Sequence, residues 1–151
     1  MVAVDDGYEP NNFVAEAYAI SYGDIIDARI DPAGDVDYFS FSGTANDTIT
    51  LDIDAQIDYG IGASDIDSYL ELIDSSGSVV LESNDDYNPP GYDEYSLDSR
   101  LAYVILAYTG TYFVKVRDLF NEGGPDYTYA LSLVKGGAPP PPAGPAPVPS
   151  E

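Results

Sequence analysis

TITLDIDA, residues 48–55, puts Ile49, Leu51 and Ile53 on one side of an extended chain and Thr48, Thr50 and Asp52 on the other. A period of two marks a half-buried strand, because successive strand side chains point to opposite faces. TYFVKVRD (111–118) repeats the pattern, with Tyr112, Val114 and Val116 set against Phe113, Lys115 and Arg117. YTYALSLV (127–134) repeats it again, with Tyr127, Tyr129, Leu131 and Leu133 against Thr128, Ala130 and Ser132. Further strands are predicted at 24–30, 37–42, 68–73, 78–83 and 99–106, divided by the turn signals DPAGD, GTAND, DSSGS, NPPG and NEGGPD. Eight short strands without crossover helices predict an all-β protein, an antiparallel two-sheet β-sandwich. The jelly-roll type is preferred to the immunoglobulin type, whose Cys and Trp landmarks are missing. Only NNFVAEAYAI has helical character, with Asn11 or Asn12 as cap and a short turn over 15–19.

The chain of 151 residues has room for one domain, and 44% hydrophobic content with 13% aromatic is enough to build a core. The domain is expected over 1–135. GGAPPPPAGPAPVPSE, 136–151, has almost no apolar side chains to bury and reads as a stiff Pro-rich linker or a disordered tail. The opening MVAVDDGYEP has neither a positive n-region nor an apolar run, so it does not read as a signal peptide, and the chain looks like a piece of a longer protein.

Charge separates the function classes. Five Lys and Arg stand against 27 Asp and Glu, a net charge of -22, which repels phosphate backbones and anionic bilayers. Nucleic acid and membrane insertion are therefore not expected. Cys and His are both absent, which removes thiolate and imidazole nucleophiles and zinc sites of the Cys/His kind. The remaining route to catalysis is a carboxylate pair. Every carboxyl in DVD and DID sits in a short polar turn, so no enzyme is expected. The acidity itself fits a saline habitat, simple solubility or cation binding.

Several carboxylates gather in turns. GDVDYFSF (34–41) sets Asp35 and Asp37 directly before the apolar Tyr38, Phe39 and Phe41. A second acidic group comprises Asp65, Asp67, Asn84, Asp85, Asp86 and Asp98. Two carboxylates held about 4 Å apart repel by roughly 4 kcal/mol at an effective dielectric near 20, so a converging cluster needs a cation or a proton. Calcium takes six to eight oxygen ligands of the kinds that acidic turns supply. None of these runs is an EF-hand loop, and for each Asp a solvated turn role is the alternative.

EPNN (9–12), GDVDYFSF (34–41), DIDSYLELIDSSGSVVLESNDD (65–86), DSRLAYV (98–104), TGTYFVKV (109–116) and YTYALSL (127–133) follow one another in an order that resembles the bacterial pre-peptidase C-terminal domain. The likeness covers 7–134. It implies a secreted, non-catalytic jelly-roll module, a calcium-binding part of a larger extracellular protein, similar in architecture to the collagen-binding domains of clostridial collagenases. In such relatives calcium joins the E-P-N segment to the acidic turn before the D-x-F strand. Carried over residue by residue, this implies Glu9, Asn11 and Asn12 opposite Asp35 and Asp37. Gly7 and Gly34 stand where the relatives carry further acidic residues. The second group rests on acidic density, and its alternative is a network of Asx turns.

Two roles are consistent with such a module. One is recognition of an insoluble polymer, protein or polysaccharide, or of a neighbouring domain, through Tyr87, Tyr92 and Tyr95 of the long 84–98 loop and Tyr103 or Tyr108. The other is a calcium-stiffened spacer or folding aid, monomeric and with no ligand except metal. Lys115 and Arg117 face outward on the strand where the collagen-binding relatives carry aromatics, so collagen specificity does not carry over.

Overall fold

The computed structural model describes residues 7–55, 64–87 and 98–136. The linker reading of 136–151 falls outside these beyond Gly136, as do NPPG, Tyr92 and Tyr95. Among the described residues there are nine strands: β1 (Tyr18–Ala19), β2 (Ile25–Arg29), β3 (Asp37–Gly43), β4 (Thr48–Asp54), β5 (Ser68–Ile73), β6 (Val80–Asn84), β7 (Arg100–Ile105), β8 (Gly110–Asp118) and β9 (Thr128–Lys135). They form a five-stranded sheet, β1-β3-β8-β5-β6, and a four-stranded sheet, β2-β9-β4-β7. β2 pairs with β9, β3 with β8, β4 with β7 and β5 with β6, all antiparallel. The chain thus runs as one long double ribbon, closed at the β5–β6 hairpin and rolled so that its strands alternate between layers. That is the jelly-roll arrangement.

Alternation sets the layers face to face. Phe39 and Phe41 from β3, Leu70 and Leu72 from β5, and Tyr112, Val114 and Val116 from β8 meet Ile49, Leu51, Ile53, Leu131 and Leu133 from the other sheet in one buried cluster. Burying a side chain of this size stabilises by about 1.5–3 kcal/mol relative to exposure. Thr50 and Asp52 of β4, and Ser132 and Val134 of β9, alternate to the outside of the four-stranded sheet.

The helical expectation for NNFVAEAYAI is corrected. The stretch holds a three-residue 3-10 turn, Val14–Glu16, whose N-cap is Phe13 with no side-chain cap. Tyr18–Ala19 is then a strand parallel to Phe39–Ser40 of β3, and Ile20 N–H donates to the Ser40 carbonyl at 2.8 Å. Sheet pairing and the edge-to-face contact of Tyr18 with Tyr8, centroids 4.8 Å apart, outweigh the weak helical preference of an alanine-rich run this short. Asn11 and Asn12 are therefore not caps. Their side chains turn to the acidic turn instead.

Candidate metal centre

The centre is built where the N-terminal segment crosses the entry to β3. Pro32 to Asp35 is a β-turn closed by Asp35 N–H on the Pro32 carbonyl at 3.0 Å, with Gly34 at φ +85° in its third position. That left-handed conformation favours glycine. Asp35 is fixed within its own turn: Oδ2 accepts from Asp31 N–H at 3.1 Å and Oδ1 from Val36 N–H at 2.9 Å. The N-terminal segment is bound alongside, through Tyr38 N–H on the Asn11 carbonyl at 2.8 Å and through Tyr8 packed against Phe39.

Asp37 is the unusual member. It is fully buried, at 0% exposure, because it shares the inward register of Phe39 and Phe41. One oxygen each from Glu9, Asp35 and Asp37 lie within 4.8 Å of one another, the one such trio among the described residues. At that spacing each ionised pair repels by roughly 3–4 kcal/mol at an effective dielectric near 20. Burial pushes the Asp37 carboxyl up to about 9; the Tyr129 hydroxyl, which donates to its Oδ2, pulls it back, while the Asp35 charge and Glu9 push it further up. A proton is thus one way to relieve the cluster, and a cation is the other.

The two asparagines complete the ring. With its NH2 toward the carboxylates, Asn11 donates to Asp37 Oδ1 at 3.1 Å and to Glu9 Oε2 at 2.9 Å, and Asn12 donates to Asp35 Oδ1 at 2.9 Å and to the Val36 carbonyl at 3.2 Å. Turned over, each amide sets its oxygen among carboxylate oxygens, an arrangement that requires a positive charge between them. Carboxylates, amide oxygens and a nearby carbonyl are the donor set that suits a hard cation. A cavity of about 360 Å³ lined by Asn12, Phe13, Pro32, Gly34 and Asp35 opens beside the cluster and gives an entry path. The departures at Gly7 and Gly34 also have a local reason. Both are left-handed, at φ +96° and +85°, so an acidic side chain there would strain the backbone.

The acidic turn is backed by the β8–β9 loop. Gly124 N–H donates to the Ile30 carbonyl at 2.8 Å. A methyl group on Gly123 would lie 2.5 Å from the Pro32 carbonyl oxygen and 2.9 Å from that of Ile30. Because backbone is what it would strike, Gly123→Ala is expected to destabilise by about 1–3 kcal/mol, in the manner of an overpacked core site. Thermal unfolding reads the loss. Amide NMR shifts over 31–37 would report the displaced turn, and shifts confined to 122–125 would refute the coupling.

The second sequence-predicted group is arranged differently. Among the described residues no three of its carboxylates have oxygens within 4.8 Å of one another. Asn84 Oδ1 accepts Arg100 N–H at 2.9 Å, Asp85 Oδ1 accepts Asp86 N–H at 2.7 Å, and Asp98 Oδ2 accepts Ala55 N–H at 3.2 Å. Asp65 is exposed. Only the Asp85 bond is local; Asn84 and Asp98 accept from backbone 16 and 43 positions away, and Asp67 Oδ1 is buried with no hydrogen bond among the described residues. Asp67 is pushed up to about 6 by burial and then by the charges of Asp86, Asp118 and Asp85.

Asp118 and Tyr129 are the residues that sequence reasoning missed. Asp118 is buried and accepts from the backbone N–H of Asp67, Phe120 and Glu122, which shapes the β8–β9 loop. The signal for both was parity: Asp118 falls in register with Val114 and Val116, and Tyr129 with Leu131 and Leu133.

The family model for the bacterial pre-peptidase C-terminal domain matches residues 35–118. The chain is 42% identical over 113 residues to a probable subtilase-type serine protease of Deinococcus radiodurans; the match covers 74% of this chain and 14% of that protein. Among solved structures, the pre-peptidase C-terminal domain of a collagenase from Bacillus anthracis is similar with a TM-score of 0.53 at 19% identity, over 78% of this chain and 93% of that one. The periplasmic g-type lysozyme inhibitor PliG of Aeromonas hydrophila has a TM-score of 0.52 at 10% identity, over 80% and 97%. At those identities the two structures share the fold.

Proposed function

The chain belongs to the bacterial pre-peptidase C-terminal domain family, and from that premise we propose that it is a calcium-binding, non-catalytic accessory module of a larger secreted protein. Glu9, Asn11, Asn12, Asp35 and Asp37 are its ion ligands. The observation that carries the reading is the fully buried Asp37 carboxyl with two further carboxylates beside it. The 14% share of the Deinococcus protease that the match covers supports a module appended to a larger enzyme. Bound calcium supplies the positive charge that lets all three carboxylates ionise. The protein's own part is to present the oxygens, and in doing so to fasten the N-terminal segment to the entry of β3.

Calcium outside cells is abundant, and extracellular modules bind it with dissociation constants of roughly 10⁻⁴–10⁻³ M. Isothermal titration calorimetry of the chelator-treated chain should give one saturable calcium event in that range. Magnesium, which demands a tight octahedron and gives up its water reluctantly, should bind more weakly. Glu9→Gln and Asp35→Asn should each weaken calcium binding. Absence of calcium heat, or equal binding of magnesium, would refute the assignment.

A further inference from the structure

The outer face of the four-stranded sheet holds a groove that shares no residue with the acidic cluster. Its volume is about 240 Å³, and Thr50, Asp52, Arg100, Tyr103 and Ser132 supply its polar groups. Its shape comes from a bulge. Ile49 pairs with Val104 and Leu51 with Leu101, so Thr50 alone of β4 faces both Ala102 and Tyr103 of β7. Tyr103 takes φ +58°, a left-handed conformation in which a bulky side chain is uncommon, and its N–H donates to Thr50 Oγ1 at 3.2 Å. Bulges re-aim side chains and recur beside functional sites. Here the bulge puts an aromatic ring in the groove wall at a position where glycine would be easier.

The charges in the groove are paired but not joined. Arg100 Nε is buried, stands 4.0 Å from Asp52 Oδ1, and makes no hydrogen bond to any described residue. The guanidinium also lies over the Tyr87 ring, 5.5 Å from its centroid. An anion entering the groove would meet Asp52, with the charges of Asp54 and Asp98 behind it. A cation would meet Arg100. The ligand that fits is neutral and offers donors and acceptors on adjacent atoms: one hydroxyl donating to Asp52, its neighbour accepting from Arg100, and an apolar ring face against Tyr103.

We propose that this groove binds one neutral sugar unit of a polysaccharide, with Asp52 and Arg100 engaging adjacent hydroxyls and Tyr103 packing against the ring. The inference rests on the accessory-module reading and gives that module a substrate class. The volume lies below the roughly 300 Å³ at which sites for whole small molecules begin, which suits a single ring of a longer chain. β4, the groove's floor, is paired on both sides, by β9 and β7, so a peptide strand could extend the ladder only along the outer edge of β7 and not within the groove.

The test is an amide NMR titration of the full chain, in calcium, with cellotriose, chitotriose and laminaritriose as probes. Saturable shifts confined to Thr50, Asp52, Arg100, Tyr103 and Ser132 with at least one trisaccharide are expected. Tyr103→Gly suits the local backbone, so it should hold the melting temperature near that of the parent while weakening binding by about tenfold. Asp52→Asn should weaken binding similarly, without depending on the bulge. No saturable shifts with any probe, shifts elsewhere, or affinity unchanged in both variants would overturn the proposal. So would shifts in the groove from a triple-helical Gly-Pro-Pro peptide but not from the sugars. Calcium calorimetry on the same sample keeps the two readings apart: normal calcium heat with no sugar shifts overturns the groove alone, and groove shifts without calcium heat overturn the metal centre alone.

Discussion

Saturating calcium is expected to raise the melting temperature of the chelator-treated chain by about 10 °C at pH 8, and by less as the pH falls. At a hundredfold excess over its dissociation constant, a ligand of the folded state alone stabilises by about 2.7 kcal/mol. For a domain of this size each kcal/mol moves the midpoint by roughly 3–5 °C. The pH dependence follows from Asp37, whose carboxyl rises from 3.8 unfolded to about 9 folded because of burial and then its acidic neighbours. Between those values the metal-free folded state holds a proton that the unfolded state has released, so stability falls as the pH rises. The contribution is whole below about 4 and lost through about 9. Asp52 and Asp67, both pushed up to about 6 chiefly by burial, act in the same direction at lower pH. The window from about pH 7 to about 9 therefore isolates Asp37. Calcium replaces the proton, so the loaded form should show little slope there and the calcium-induced rise should grow with pH. Thermal unfolding in calcium and in chelator across that window is the measurement. Coincident curves would defeat the metal reading, and a constant offset would show that Asp37 is not the proton-binding group.

The strands were legible because their signal is local. β3, β8 and β9 alternate, and the inward residues expected in TITLDIDA, TYFVKVRD and YTYALSLV are buried in β4, β8 and β9, with Thr50 buried beside them in β4. β1 was not legible. It is two residues long, and its support comes from β3 about twenty positions away and from the Tyr8 ring, neither of which a helical preference in AEAYA can register. For the site, the cluster of Glu9, Asp35 and Asp37 follows from motif order, whereas the depth of Asp37 follows from parity with Phe39 and Phe41. Its bond from Tyr129 spans 92 positions and depends on β9 lying behind β3, which is a fact of tertiary packing.

Acidic density in the sequence does not by itself bring three carboxylates to one point: among the described residues Glu9, Asp35 and Asp37 do so. In the 65–98 group Asp85 turns to the adjacent Asp86 N–H and Asp98 to the distant Ala55 N–H, so these two carboxylates find backbone donors without a metal. Asp52 shows the converse. Its mid-strand outward position reads as open water, but it is half-buried beside Arg100 in the groove, and burial raises its carboxyl. A substitution there would alter packing as well as charge. Substitution of Asp27, exposed on β2, changes charge alone.

Asp37→Asn is expected to reverse its effect with calcium. In chelator at pH 8 the variant should melt at or above the parent temperature. Its neutral side chain takes the place of the protonated carboxyl, with an amide N–H for Glu9 and an oxygen for the Tyr129 hydroxyl, and it can no longer ionise among Asp35 and Glu9. In calcium it should fall well below the parent, with the calcium-induced rise cut from about 10 °C to under about 3 °C, because a fully desolvated anionic ligand is gone. Asp37→Ala separates the charge from the hydrogen bond. It too loses the calcium response, but it leaves the buried Tyr129 hydroxyl without its acceptor and should cost about 1–3 kcal/mol even in chelator. Asp27→Ala should change neither curve by more than about 0.5 kcal/mol, as expected of an exposed surface position. If Asp37→Asn destabilised equally with and without calcium, the carboxylate would be a structural hydrogen-bond acceptor and not an ion ligand. If Asp27→Ala lost the calcium response as fully as Asp37→Asn, the effect would belong to the overall negative charge and not to this centre.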